Sequence, residues 1–187
     1  LVMFLHNLSY KQESSSYLCA DMHNLPFAIH QNQNKFDVVY SNLAMQWCTD
    51  IPNLLKDLKS VLKEDGCLAF STILDGSLSN MKIAYGKLDR NPPVQDFLSY
   101  EYLIDLIKYS GFKCIFCESK KMTYNFPTIL SLLNSFKKIG ASYAGNAINN
   151  GFITKTFFER LSYLWPKDEL DNFILDYTIG LFVLINV

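Results

Sequence analysis

Apolar positions along the chain change period in a regular way, and that change predicts the elements. Phe36-Asp37-Val38-Val39-Tyr40-Ser41 is a β-branched and aromatic run, the composition of a strand. Asp50 then stands where a helix N-cap is expected, and Ile51, Leu54, Leu55, Leu58, Val61 and Leu62 follow at spacings of three and four. Pro52 falls in the first turn, where its missing N–H costs nothing, and Gly66 closes the unit. Cys67 to Ile73 returns to strand character. A strand, a helix and a strand with short joints predict a right-handed parallel crossover.

Further along, Ser99 is placed to cap a helix carrying Leu103, Leu106 and Ile107, with Gly111 past its end. Phe112 to Glu118 reads as the next strand. Helical spacing then resumes with Ile129, Leu132, Leu133, Phe136 and Ile139, ending at Gly140. A Gly/Asn-rich loop from Gly145 to Gly151 leads to another helix from about Thr154 to Trp165, stopped by Pro166. Phe173 to Val187 reads as a long final strand. The two helices are thus expected as an insertion between the last two strands, the kind of element that covers a cleft.

Composition agrees with a packed α/β chain. Of 187 residues, 49% are hydrophobic and 19% charged, which excludes a disordered or collagen-like polymer. Net charge is -1, which argues against a dedicated nucleic-acid binder. The distribution is uneven, however. Lys120, Lys121, Lys137, Lys138, Lys155, Arg160 and Lys167 face only Glu159 between positions 120 and 167. Such a block is either a solvated face or a docking surface for an acidic partner.

Cysteine and histidine carry no further chemistry in this reading. Cys19, Cys48, Cys67, Cys114 and Cys117 have no disulfide-scaffold spacing. Cys114 and Cys117 are expected on opposite faces of a strand, as buried thiols of a reducing cytoplasm rather than metal ligands. His6, His23 and His30 show no ligand pattern, so no metal is expected. No membrane span is expected either, because Thr178 to Val187 is far too short.

Three stretches resemble a known family. Tyr17-Leu18-Cys19-Ala20-Asp21-Met22-His23-Asn24-Leu25-Pro26-Phe27 resembles the third strand and D-x-x-x-L-P-F segment of class I S-adenosylmethionine-dependent methyltransferases. Phe36 to Cys48, with its F-D-x-V and N-L-A-x-Q-W-C parts, looks like the malonyl-acyl-carrier-protein O-methyltransferases of biotin synthesis. Phe136-Lys137-Lys138-Ile139-Gly140-Ala141 with Ile153-Thr154-Lys155 is similar to that family's inserted helices.

The resemblance implies a Rossmann-like methyltransferase sheet in strand order 3-2-1-4-5-7-6, here lacking its first two strands. Residues 1–126 would be the partial core, 127–167 the helical lid and 168–187 the final core strand. Leu1 to Ser9 looks like the helix after the missing second strand. Gly66, Gly76, Gly86, Gly111, Gly140, Gly145, Gly151 and Gly180 form no G-x-G loop, so the cofactor's carboxypropyl and ribose contacts are expected to be absent. Cofactor-binding roles pass by resemblance to Asp21, Met22, Asn42 and Leu43.

The implied reaction moves a methyl group from S-adenosylmethionine to the free carboxylate of malonyl-acyl carrier protein, starting pimeloyl synthesis in the cytoplasm. A carboxylate is ionised and nucleophilic at neutral pH, so no catalytic base is assigned. Tyr40, Gln46, Trp47, Tyr124, Lys137 and Tyr143 are candidates for binding the substrate, with Trp47 equally readable as a core anchor. The resemblance favours the docking reading of the basic block, with Lys137, Lys138, Lys155 and Arg160 meeting the acidic carrier protein. The competing readings are an inactive remnant or carrier-binding module of the same fold, and a methyltransferase-like hydroxylase or assembly factor.

Overall fold

A computed structural model describes residues 20–22, 24–25, 35–138 and 154–187, without the side chains of Lys137 and Lys138. Four strands and five α-helices follow one another: β1 (Phe36–Asn42), α1 (Ile51–Val61), β2 (Leu62–Ile73), α2 (Ser79–Gly86), α3 (Tyr100–Ser110), β3 (Phe112–Phe126), α4 (Ile129–Lys138), α5 (Lys155–Leu164) and β4 (Phe173–Asn186). The strand order is β1-β2-β4-β3. This is the 4-5-7-6 portion of the order implied by the resemblance. β1 and β2 are parallel, with Val39 opposite Leu68 and Asn42 opposite Ser71, as the strand–helix–strand pattern predicts. The described chain divides into two compact units, one holding residues up to 72 with 101–118 and 181–187, the other 73–100 and 119–180.

In the first unit, α1 follows from its sequence. The Asp50 side chain accepts from Asn53 N at 3.1 Å and Pro52 occupies the first turn. Ile51, Leu54, Leu55, Leu58 and Val61 form the buried stripe. Phe70 of β2 and Phe182 of β4 stack at 4.7 Å, both almost fully buried. The buried Asn186 amide donates to the carbonyls of Lys59, Leu62 and Lys63 at 3.3, 3.1 and 2.9 Å, answering backbone acceptors at the C-terminal end of α1. Gly111, at φ +77°, turns α3 into β3, and its carbonyl accepts from Lys59 Nζ at 2.6 Å. A Cβ there would meet that ammonium at 3.0 Å and force an unfavourable φ, so glycine is required.

The second unit is built on an apolar cluster of Leu78, Met81, Tyr85, Ile129, Leu132, Phe157, Leu161, Trp165, Phe173 and Leu175. The inserted helices therefore share one core with α2 and the start of β4. Thr154 caps α5 by accepting from Phe157 N at 3.1 Å, and Trp165 Nε1 donates to Ile174 O at 2.7 Å. Asp176, only 2% exposed, accepts from Ser79 Oγ and from Asn80 N and lies 4.0 Å from Lys121 Nζ, so the buried charge has partners.

Several expectations need correction. The apolar spacing marks no helix between Ile73 and Ser99, yet α2 forms there. Its apolar residues are few and scattered, and packing against α5 compensates for the weak pattern. β2 and β3 extend well beyond Cys67–Ile73 and Phe112–Glu118. Cys114 and Cys117 are not buried thiols: they are joined in a disulfide, with Cys114 exposed and Cys117 half-buried. Their Cα atoms are 6.6 Å apart, against roughly 10 Å for three fully extended residues, so the strand is drawn in between them. Cys48 is a buried thiol as expected. Leu1 to Ser9 and Tyr17 to Cys19 lie outside the described residues. No helix among the described residues is long and apolar enough to cross a membrane, and they contain no group of three metal-ligating side chains.

Candidate functional site

The carboxyl ends of β1 and β2 gather the polar residues of the first unit. Asn42 ends β1, and Ser71 Oγ donates to its Oδ1 at 2.5 Å. Leu43 turns the chain at φ +48°, a left-handed conformation unusual for leucine. Two bonds hold it there: Leu43 N donates to Ser71, and Gln46 Nε2 donates to the Leu43 carbonyl at 2.5 Å. Thr72 Oγ1 reaches Gln46 Oε1 at 3.4 Å. The tip of β1 is therefore a tied polar corner whose strained residue is fixed by side chains from the neighbouring strand and the next turn.

Met45, Gln46 and Trp47 form a single 3₁₀ turn after that corner. Met45 is the buried member at 2% exposure, whereas Gln46 and Trp47 are half-buried. The core-anchor role weighed for Trp47 thus falls to Met45, a residue the sequence reading passed over. Asp21 opens a tight turn in which Asn24 N donates to its carbonyl at 3.1 Å. Its carboxylate is exposed and Met22 is half-buried. Burial pushes the Cys48 thiol up; a backbone hydrogen bond from Asp50 opposes that shift, while the negative charges of Asp50 and Asp21 add to it.

The other predicted residues are dispersed. Tyr40 on β1 is 72% exposed. Tyr124 belongs to the second unit, where its ring meets that of Tyr177 edge-on at 6.1 Å. Burial, with Tyr124 and Asp176 nearby, pushes the Tyr177 hydroxyl up to about 12, so it stays protonated and can donate at any physiological pH. Tyr177 had no signal in the sequence beyond an alternating strand pattern. Lys155 and Arg160 are exposed on α5, with Glu159 4.0 Å from Lys155. Lys121 and Lys167 have partners in Asp176 and Asp171, so the basic block carries less uncompensated charge than its sequence suggests. Tyr143 lies outside the described residues, as do the side chains of Lys137 and Lys138.

Residues 4–70 match the family model described as "Methyltransferase domain". Among solved structures, a Bacillus halodurans protein described as a candidate methyltransferase superposes with a TM-score of 0.54 at 11% identity, covering 89% of this chain and 69% of that one. The YcgJ protein of Bacillus subtilis gives 0.52 at 13% identity, covering 89% and 68%. The chain shares the fold of these proteins.

Relatives found by sequence are more specific in name. The chain is 34% identical over 157 residues to the malonyl-[acyl-carrier protein] O-methyltransferase of Erwinia pyrifoliae, covering 84% of this chain and 57% of that protein. It is 35% identical over 140 residues to the enzyme of the same name from Herminiimonas arsenicoxydans, covering 74% and 52%. The chain therefore spans a little over half the length of these relatives.

S-adenosylmethionine is the cofactor that the sequence resemblance implies, and the described residues are compatible with part of it. An exposed carboxylate at Asp21 and a half-buried thioether at Met22 suit an adenine amino group and ring, and the tied corner at Asn42 and Leu43 suits the methionine end. The sequence has no G-x-G loop for the carboxypropyl part.

Proposed function

We propose that these residues serve an S-adenosylmethionine-dependent O-methyltransferase that esterifies the free carboxylate of a malonyl group carried on acyl carrier protein. The observation that supports this most is the 34% identity over 157 residues to an enzyme of that name, on a fold of the same superfamily. The bound cofactor supplies the methyl group. Asp21 and Met22 hold its adenine, and Asn42 and Leu43 line its methionine end. The corner tied by Ser71 and Gln46 keeps that wall from relaxing when the cofactor leaves.

The malonyl carboxylate is ionised at neutral pH, so the protein orients it rather than deprotonating it. The candidates to grip and select it are Tyr40, Gln46 and Trp47 in the first unit or, separately, Tyr124 in the second, with Tyr143 and the Lys137 side chain outside the described residues. Esterification masks the charge, which lets fatty-acid elongation extend the unit toward the pimeloyl part of biotin in the cytoplasm. Lys137, Lys138, Lys155 and Arg160 meet the acidic carrier protein, with salt-sensitive strength because the Debye length is about 8 Å at physiological ionic strength.

The test separates the two halves of this reading. Titration of the 187-residue chain with malonyl-acyl carrier protein at low salt is expected to show binding that Lys155→Glu with Arg160→Glu weakens and added salt weakens further. Titration with S-adenosylmethionine is expected to show binding weaker than micromolar, since contacts to the carboxypropyl part have no residues in this sequence. Carrier affinity unchanged by both the charge reversals and salt would sink the docking surface, and micromolar cofactor affinity would sink the account of the site.

A further inference from the structure

We propose that Cys114 and Cys117 form a thiol–disulfide exchange site that a small thiol in solution opens and closes without unfolding the chain. This inference does not depend on the methyltransferase reading. The two cysteines lie on β3, an outer strand of the described sheet. Lys113, Cys114, Ile115 and Phe116 are all exposed and Cys117 is half-buried, so a soluble reagent reaches the bond from water. Reactivity of this kind follows access.

The bridge is a poor staple. It closes a loop between residues only three apart, and the unfolded-chain entropy removed by a cross-link grows with loop length. Its local effect is larger, because it holds the two Cα atoms at 6.6 Å where an extended strand would place them roughly 10 Å apart. Opening the bond removes that constraint and lets β3 straighten. A drawn-in outer strand is a worse template for pairing with a further strand than a straight one. The redox state therefore sets the regularity of one sheet edge.

The chemistry balances with a monothiol of the glutathione class as co-reactant. Its thiolate attacks the sulfur of Cys114, the more exposed of the two residues, forming a mixed disulfide and expelling the Cys117 thiolate. A second monothiol displaces the Cys114 thiolate, giving the oxidised monothiol dimer and, after two protons are taken up, the dithiol. The reverse sequence restores the bridge. The other two described cysteines take no part: Cys48 is buried with its thiol pushed up by that burial, Cys67 is half-buried, and both are unbridged.

The folded chain, equilibrated with defined mixtures of reduced and oxidised glutathione, provides the test. After acid quenching and alkylation, trypsin cuts behind Lys113 and Lys120 and releases one peptide, Cys114 to Lys120, that holds both sulfurs. Mass spectrometry then separates the bridged peptide from the doubly alkylated one. The expected result is a reversible shift from mostly dithiol to mostly disulfide over about a hundredfold change in the quotient of squared reduced glutathione to oxidised glutathione. Circular dichroism should show the chain folded throughout. With Cys117→Ser, oxidised glutathione should trap an adduct on Cys114 faster than Cys114→Ser traps one on Cys117. A bridge that resists reduction until denaturant is added would overturn the proposal. So would a chain that yields only separate glutathione adducts and never the bridged peptide.

Discussion

Asn186 offers the sharpest test of how the first unit is held. Its amide donates to three carbonyls at 2.9 to 3.3 Å while being 8% exposed, and these acceptors stand at the negative end of α1. Asn186→Ala removes the donors and leaves buried acceptors short of partners, which costs about 2 kcal/mol. Asn186→Asp keeps the shape but replaces two N–H donors with an acceptor. Burial and three facing carbonyls disfavour its charged form, so its folded pKa lies above the unfolded value of about 3.9. Raised by about two units, it adds roughly 3 kcal/mol to the damage at neutral pH, at 1.36 kcal/mol per unit.

The sign follows from proton counting. The folded aspartate variant binds more protons than its unfolded chain between the two pKa values, so stability falls as pH rises through that window, from about 4 to about 6. Lys59 is the cation that could compensate, but its ammonium already donates to Gly111 O at 2.6 Å and Val187 O at 3.1 Å. Urea unfolding of the native chain and both variants at pH 4 and pH 7 measures the effect. At pH 4 the two variants should be close; at pH 7 the aspartate should be worse by about 3 kcal/mol. Equal stabilities of the two variants at pH 7, or a difference independent of pH, would refute the reasoning.

Two further outcomes follow from the packing and the charges. Phe182→Ala, which removes a ring stacked on Phe70 in a site 1% exposed, should cost about 3–5 kcal/mol, whereas Tyr109→Ala at 89% exposure should fall within about 0.5 kcal/mol of zero; urea midpoints decide. Asp168 accepts from Asn172 N, Leu170 N and the side chains of Asn172 and Asn125, and the Asn172 N–H in particular holds its pKa below the usual value. Its contribution is present above about pH 3.9 and is lost as pH falls through the lowered folded pKa. Hydrogen exchange at Leu170 and Asn172, corrected for intrinsic rates, should lose protection in that acid range and lose it at neutral pH in Asp168→Ala; protection unchanged in both would count against the turn.

What the sequence made legible depended on whether the determining contacts were local. The stripe Ile51, Leu54, Leu55, Leu58 and Val61, the cap at Asp50 and the turn at Gly111 each act within a few residues, and the fold follows them. The motif Asn42-Leu43 located the corner at the end of β1 for the same reason. Its rigidity was not legible, because the partners are Ser71 and Thr72, one strand away. Asp176 was invisible as a structural charge, since Ser79 and Asn80 lie about a hundred residues from it in sequence, on a helix whose own pattern is too weak to announce itself. The disulfide failed the opposite test. The local rule that i and i+3 diverge holds for an ideal strand, and an outer strand unpaired on one side among the described residues is free to depart from it. Long-range polar pairs and exposed strands are therefore where sequence pattern has least hold. The tied corner at Leu43 depends on such a long-range pair, and the bridge at Cys114 on such a strand.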